Sequence, residues 1–423
     1  MTSIQTESQK PSFRRVLSNR SFSLLWIGQM VSQSGDYIFD VVALWLVLQL
    51  TGDIFKVGLT TATILLPPVV IGPLAGVYVD KFNRRDIILV SNVFQAGTVA
   101  AIAVLYGVGS LSFPILLVLL FLLNAGAQFV RPSVTATIPG LMAKEDLAAA
   151  NSLFTISSSL NQIAGFGIGG LLVLLLGVEL PIYYDSFTFI FAATSVVLIA
   201  RSVLDVPPIT PSASSIDGGN PSSFKDKFLQ GLRFIRTSRL LLEIIALALV
   251  LNFFGGGIQA LIAPYAKITV HGNAGTYGAM LAALSLGTVI GSIAVGKIEA
   301  RKYVGNLLFL GVLGTGASVA LIGFTTIAVY SIILMLVIGV SLAFANLPLQ
   351  VLIQAKVPGN LLGRVFTSLG ALVTIATPIA AITTGSVASS LQIGPTLQLY
   401  GLLMLIVTAG AYFVFQEVRE AKY

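Results

Sequence analysis

Gln29, Gln33, Asp36 and Asp40 follow one another at steps of four, three and four residues inside a stretch that is otherwise largely apolar. At 3.6 residues per turn, those steps place all four side chains on one face of a helix. Asp36 and Asp40 fall near the middle of the stretch. A carboxylate at such depth in a bilayer costs about 3 kcal/mol even on lenient insertion scales. Two on one helix therefore imply a water-filled cavity or a bound proton. A carboxyl that takes up and gives off a proton as its exposure changes is what proton-driven transport requires, and direct contact with a substrate is the related duty. The competing duty is structural, with Asp36 after Gly35 capping or bridging neighbouring helices. The sequence leaves both open.

Similar spacing recurs further on. Asn124, Gln128 and Arg131 stand at steps of four and three in a second apolar stretch. Arg131, at its end, either offsets an acid of the first stretch or snorkels to the interface. Asn252 and Gln259 flank Gly255, Gly256 and Gly257. Three glycines weaken a helix by about 1 kcal/mol each relative to alanine, so a bend or unwound segment is expected there, with close helix packing as the rival. Asn346 and Gln350 extend the set of cavity candidates, with Asn161 and Gln162 as weaker members. Phe39, Trp45, Phe253, Phe254 and Tyr265 would suit a bulky amphipathic substrate, although most aromatic rings in such helices face lipid or other helices. Glu243 reads as an interfacial acid near Arg236 and Arg239. Asp185 reads as a helix-start acid favoured by the dipole.

The elements that must hold these residues are set by composition. The 423 residues are 56% hydrophobic and 10% charged, which describes a polytopic helical membrane protein. Twelve apolar runs, at 22–50, 55–79, 87–106, 113–130, 147–176, 183–200, 240–268, 277–296, 306–324, 328–350, 365–389 and 396–415, are each expected to cross about 30 Å of hydrocarbon. We number them spans 1 to 12. All of the 24 basic residues except Lys56 and Lys267 fall in the tails or in turns on the side of the termini. By the positive-inside rule both termini are cytoplasmic, in a cell membrane crossed many times.

The longest break, 201–239, begins with a Pro-, Ser- and Gly-rich linker. It continues with Phe224, Phe228, Leu232 and Ile235 at helical spacing among basic residues, an amphipathic helix expected to lie on the inner leaflet. The expected organisation is thus a tail at 1–21, a six-helix bundle at 22–200, the linker at 201–239, a second bundle at 240–416 and a tail at 417–423.

Several function classes are excluded. There is no cysteine, so there is no disulfide and no thiolate metal or haem site. The single histidine, His271, rules out a histidine-built metal centre and leaves no nucleophile–base constellation of an enzyme. No phosphate-binding Gly-x-x-x-x-Gly-Lys-(Ser/Thr) loop is present, so energy must come from a gradient. No cofactor is expected. Residues 1–20 lack the apolar core of a signal peptide. The net charge of +7 is explained by its position beside the membrane rather than by nucleic acid.

The turn Gly72–Arg85 carries the most specific pattern. Gly76, Asp80, Lys81, Arg84 and Arg85 resemble the signature Gly-x-x-x-Asp-(Arg/Lys)-x-Gly-(Arg/Lys)-(Arg/Lys) that joins the second and third helices of the major facilitator superfamily. Asn83 stands where glycine is usual, and asparagine tolerates a left-handed turn best after glycine. Gly72, Ala75 and Gly76 are small enough for close helix approach. The halves also echo each other: Pro132–Leu153 aligns without gaps on Pro348–Leu369, pairing Ser152 with Ser368, and Gly76 aligns on Gly296. Leu25-Trp26, Ser32 to Asp36, Arg131-Pro132, Ile138-Pro139, Ala150-Asn151, Val357-Pro358 and Gly363-Arg364-Val365 resemble the macrolide-efflux and enterobactin-exporter branch.

That resemblance implies an all-α integral membrane protein with 12 transmembrane helices in two pseudo-symmetric six-helix bundles, the 6+6 major facilitator fold. It implies a secondary active transporter, with proton-coupled export of a drug-like amphipathic molecule as the leading reading. A siderophore exporter or a lysophospholipid flippase-like carrier are alternatives, and a non-transporting membrane sensor is a remote one. In that frame the partners are a small-molecule substrate, protons and membrane lipids, with no nucleic acid and with the chain acting as a monomer. The charged turn would act as a conformational latch, its acid engaging a partner in one state and releasing it in another. A reporter fused after Ser223 is expected on the cytoplasmic side and one inserted at Gly272 outside. Both on one side would reject the twelve-span arrangement.

Overall fold

The computed structural model describes residues 13–199, 224–298 and 300–421, without the side chains of 77, 80, 224–227, 300–302 and 360. Most of the expected linker therefore lies outside the described residues. Twelve helices long and apolar enough to cross a membrane are present. Spans 1 to 6 run over Arg20–Thr51, Ile54–Gly76, Arg84–Gly107, Phe113–Leu141, Lys144–Leu176 and Glu179–Val197. Spans 7 to 12 run over Arg239–Thr269, Ala274–Lys297, Tyr303–Ile322, Ala328–Lys356, Leu361–Leu391 and Ile393–Val414. No strand occurs among the described residues. Hydrocarbon offers no hydrogen-bond partner, so each span closes its backbone bonds within itself.

Local chemistry sets several ends. Ser238 accepts the amide of Leu241 at the start of span 7, and Asn273 with Thr276 forms a capping box at the start of span 8. Span 2 breaks at Ile71, three residues after Pro67-Pro68, and span 11 breaks at Ile375. Packing repeats between the halves. Span 3 packs on spans 4 and 6, as span 9 packs on spans 10 and 12; the second part of span 2 packs on span 4, as span 8 packs on span 10.

The chain forms two compact units. The first comprises Met1–Phe39, Val70–Gly165 and Leu176–Ala213; the second comprises Asp40–Val69, Phe166–Leu175 and Ser214–Tyr423. In the first, a core of Phe22, Leu25, Ile88, Val134, Ile138 and Val196 lies near the end that carries the N-terminus. The short helix Phe13–Ser18 is tied there by Arg15, whose guanidinium donates to both oxygens of buried Asp146. Those bonds hold the Arg15 guanidinium above its ordinary range.

In the second unit, the helix Phe224–Thr237 packs on Gly359–Thr374, the first part of span 11. Gly231 meets the backbone of Arg364, and the Ser368 hydroxyl donates to the carbonyl of Phe228 at 2.9 Å. Ile235 is buried in the core. The apolar face expected to rest on lipid is therefore partly covered by protein. Sequence pattern gives an amphipathic face but not what covers it.

Two glycine crossings tighten the second unit at the end of its spans opposite the termini. Gly58 of span 2 lies against Gly385 of span 11, and Gly170 of span 5 against Gly278 of span 8. A Cβ on Gly170 would stand 2.5 Å from the carbonyl oxygen of Ala274 and 2.9 Å from the Cα of Gly278. Both obstacles are backbone and cannot turn aside. Gly170→Ala should therefore destabilise by about 1–3 kcal/mol, the usual cost of overpacking. Gly97→Ala, whose Cβ meets nothing within 4 Å, is the control. Equal thermal transitions of the two purified variants would show that the backbones at this crossing can separate freely.

Candidate functional site

Span 1 is one continuous helix, so the four polar residues do share a face, but their settings differ. Gln29 is 5% exposed, and its Nε2 finds no hydrogen-bond partner among the described residues. A buried donor left without an acceptor is unusual and costly. Gln33 and Asp36 are half-buried, and Asp40 is exposed. Phe39, beside it, is buried.

The other amides treat their helices in a common way. Asn124 donates to the carbonyl of Leu120 at 2.9 Å, Gln128 to Asn124 at 3.1 Å, Asn252 to Ala248 at 2.9 Å and Asn346 to Leu342 at 3.0 Å. Each spends an N–H on its own helix one turn back, which keeps the amide oxygen as an acceptor. Asn124, Gln128 and Asn252 are half-buried, and Gln259, Asn346 and Gln350 are exposed. Arg131 is exposed, and no ion pair joins it to Asp36 or Asp40 among the described residues. Asn161, a weaker cavity candidate, bonds across to the carbonyl of Met30 at 2.7 Å and so ties span 5 to span 1.

The charged turn is more deeply built in than its composition implies. Arg84 and Arg85 are both buried. Arg84 donates to the carbonyl of Ala136 in span 4 at 2.7 Å, and Arg85 to that of Val197, the last residue of span 6, at 3.1 Å. Val197 ends its helix, where carbonyls are left unpaired and negative, and the Arg85 guanidinium answers both deficits. Asn83 does not adopt the expected left-handed turn: its φ is −62° and ψ 120°, and its side chain caps the next helix by accepting from Arg85 N–H. An extended N-cap needs no positive φ, so asparagine serves in place of glycine for a different reason. Ala75 is buried, but a Cβ on Gly76 would meet nothing within 4 Å, so close approach is not seen at that glycine. Lys81 is exposed; the side chain of Asp80 lies outside the described residues. Beside the turn, Leu74, Tyr78, Phe82, Phe94 and Phe129 line a groove of about 660 Å³ with Asp86 at its edge.

Span 7 corrects another expectation. The helix runs unbroken through Gly255–Gly257. Gly256 packs on Thr377 and Gly257 on Thr384 and Tyr400, so these glycines serve close packing against spans 11 and 12. The irregular stretch comes later, where Tyr265–Thr269 is π-helical. Phe253 is half-buried and stacks on Tyr400 at 6.4 Å, with Phe254 edge-on to the same ring. Tyr265 is buried, and its hydroxyl meets the carbonyls of Ile322 and Thr325 and the hydroxyl of Ser331.

Three features escaped the sequence reading. Asp185 is fully buried in the second turn of span 6, against Gly35, and Glu179 is the acid at that helix start. Glu243 is buried; beyond the expected Arg239 it accepts the amide of Val418 at 3.0 Å, which fastens the C-terminal segment to span 7. Asn92 and Gln95 are buried polar residues of span 3. Their step of three was visible, but nothing in sequence separates a buried amide from one at an interface.

Comparisons with known proteins agree with this geometry. The family model described as "Transmembrane secretion effector" matches residues 14–422. Macrolide efflux protein A of Streptococcus pyogenes is 22% identical over 94% of this chain and 96% of its own length. The multidrug efflux pump Tap of Mycolicibacterium fortuitum is 25% identical over 94% and 96%. A putative bacilysin exporter of Bacillus amyloliquefaciens is 25% identical over 81% and 82%. Among solved structures, nucleoside transporter NupG superposes with a TM-score of 0.72 at 12% identity, over 95% of this chain and 100% of that one. A bacterial homologue of the human lysosomal transporter Spinster gives 0.70 at 15% identity, over 94% and 97%. Both share the twelve-helix fold. If Arg84 staples spans 3 and 4 as the geometry indicates, Arg84→Ala should lower stability by about 1.5–3 kcal/mol, the range for a bond to a charged group. An unchanged thermal transition of the purified variant would remove the staple from the account.

Proposed function

The chain belongs to the transmembrane secretion effector family of major facilitator transporters, and from that premise we propose that it exports an amphipathic small molecule in exchange for protons. The observation that carries the proposal is the polar face of span 1. Gln29 offers a buried donor with no partner among the described residues, and Asp40 offers an exposed carboxyl on the same helix. The amide oxygens of Asn124, Asn252 and Asn346, each with one N–H already spent on its own helix, would accept from donor groups of a substrate. Gln33, Phe39, Gln128, Phe253, Gln259 and Gln350 complete the candidate cavity, and Asp36, Asp40 and Arg131 are the candidates for proton coupling.

Membership implies a small-molecule substrate and a multi-pass protein of the cell membrane. Both termini are proposed to be cytoplasmic, on the distribution of basic residues. The chain is proposed to work as a monomer in contact with membrane lipids. The turn of Gly76, Asp80, Lys81, Arg84 and Arg85 is proposed as the conformational latch. With Arg84 and Arg85 bonded to carbonyls of their own unit, the exposed Lys81 is a member left to change partner.

Transport into inverted vesicles, with and without an imposed pH gradient, tests the reading. The panel should include macrolides, small peptides, siderophores and lysophospholipids. Uptake of one class, driven by the gradient, is expected. Asn keeps the shape of Asp but cannot exchange a proton, so Asp40→Asn or Asp36→Asn should lose gradient-driven uptake while retaining binding. Asp80→Asn should slow cycling at normal membrane yield. Normal uphill export in both span 1 variants would overturn proton coupling through these acids.

A further inference from the structure

Span 7 ends in an unusual way at the side opposite the termini. Over Tyr265–Thr269 its backbone is π-helical; the amide of Val270 bonds to the carbonyl of Tyr265 at 3.0 Å and that of Gly272 to Ala266 at 2.8 Å. Such turns insert a residue into a helix and concentrate at functional sites. The next residue but one, His271, has a φ of 53°, in the left-handed region that residues with a side chain avoid. The inserted residue changes the direction of the side chains around it, and Lys267 sits within this segment.

Lys267 is one of the two basic residues that lie away from the side of the termini, so the positive-inside rule does not account for it. It is half-buried. Its Nζ donates to the carbonyl of Leu48 at 3.3 Å and stands 5.6 Å from the centre of the Trp45 ring. Leu48 lies in the last turn of span 1, where the helix dipole is negative. Its carbonyl already accepts from Gly52, so the lysine takes the second lone pair. Trp45 is itself held from its other partner: its ring stacks on Tyr277 of span 8, with centroids 6.3 Å apart and planes at 17°. Both rings are buried. One cation thus meets a helix end and an aromatic face belonging to a segment 219 residues away, all within the second unit.

We propose that Lys267 is a positioning residue of the transport cycle: it clasps the far end of span 1 to spans 7 and 8, and it must leave Trp45 and Leu48 whenever that end opens. The proposal rests on the chain being a transporter and on neither its substrate nor its driving ion. A lysine is suited to the task, because a compact ammonium re-enters water readily on a flexible stem. A lysine placed only for packing would instead affect stability and leave the balance of conformations alone.

The absence of cysteine makes the test direct. Ala62 of span 2 is 4% exposed and packs against Ala260 of span 7 and Ala381 of span 11. In A62C, reconstituted in phospholipid nanodiscs, the rate of reaction with N-ethylmaleimide reports opening of this end. Ala248 is buried in the core near the other end of span 7, and A248C reports loosening of the fold. K267Q should raise the A62C rate by about threefold to tenfold, a population shift toward the open form, and leave the A248C rate unchanged. K267R, which keeps the charge and the contact with the ring, should restore the slow rate. W45F, with a weaker aromatic face, should fall between. If K267Q does not fold, W45F carries the test with the same expectation. An unchanged A62C rate in these variants, or a parallel rise in A62C and A248C, would overturn the proposal.

Discussion

A hydrocarbon layer supplies no hydrogen-bond partner, and nearly every polar detail of this protein answers that constraint. The spans satisfy their own backbones. Their hydroxyls do the same: Thr61, Thr98, Ser133, Thr137, Thr315 and Thr408 each donate to the carbonyl four residues back. A hydroxyl bonded in this way is removed from competition between helices. What remains to join one helix to another is apolar contact, small-residue crossings and a few cross-helix bonds.

Two of those few bonds are placed where a helix cannot satisfy itself: Arg85 answers the last carbonyl of span 6, and Glu243 takes the amide of Val418 from the C-terminal helix, while Lys267 adds a second bond to a carbonyl near the end of span 1. In each case a charged side chain meets backbone dipoles, which accept charge without the cost of desolvating a second ion. Gln29 Nε2, by contrast, is buried with no hydrogen-bond partner among the described residues.

Glycine does the complementary work. Where Gly58 meets Gly385 and Gly170 meets Gly278, the absence of a Cβ brings backbones into contact. Gly58 precedes Gly278 by 220 residues and Gly170 precedes Gly385 by 215, close to the offset that aligns the two halves of the sequence. Contacts of this kind hold through shape and dispersion alone and leave no polar group unpaired when they part. That suits helices that must separate and meet again.

Much of this was legible in the sequence. Twelve spans, their approximate ends, the internal repeat and the shared face of Gln29, Gln33, Asp36 and Asp40 follow from hydropathy and from helical period, which act locally and so are written locally. The family signature was legible too, because Gly76, Asp80, Lys81, Arg84 and Arg85 lie within one short turn. Tertiary structure decided the rest. It made Gly256 and Gly257 a packing surface and moved the irregular stretch to Tyr265–Thr269. It turned Asn83 into an N-cap, buried Asp185 against Gly35, and set Lys267 over Trp45. Asn83 caps the helix locally, through the amide of Arg85, but for Gly256, Gly257, Asp185 and Lys267 the outcome depends on a neighbour from a distant part of the chain, and a residue's own sequence context does not say which backbone or ring will arrive beside it.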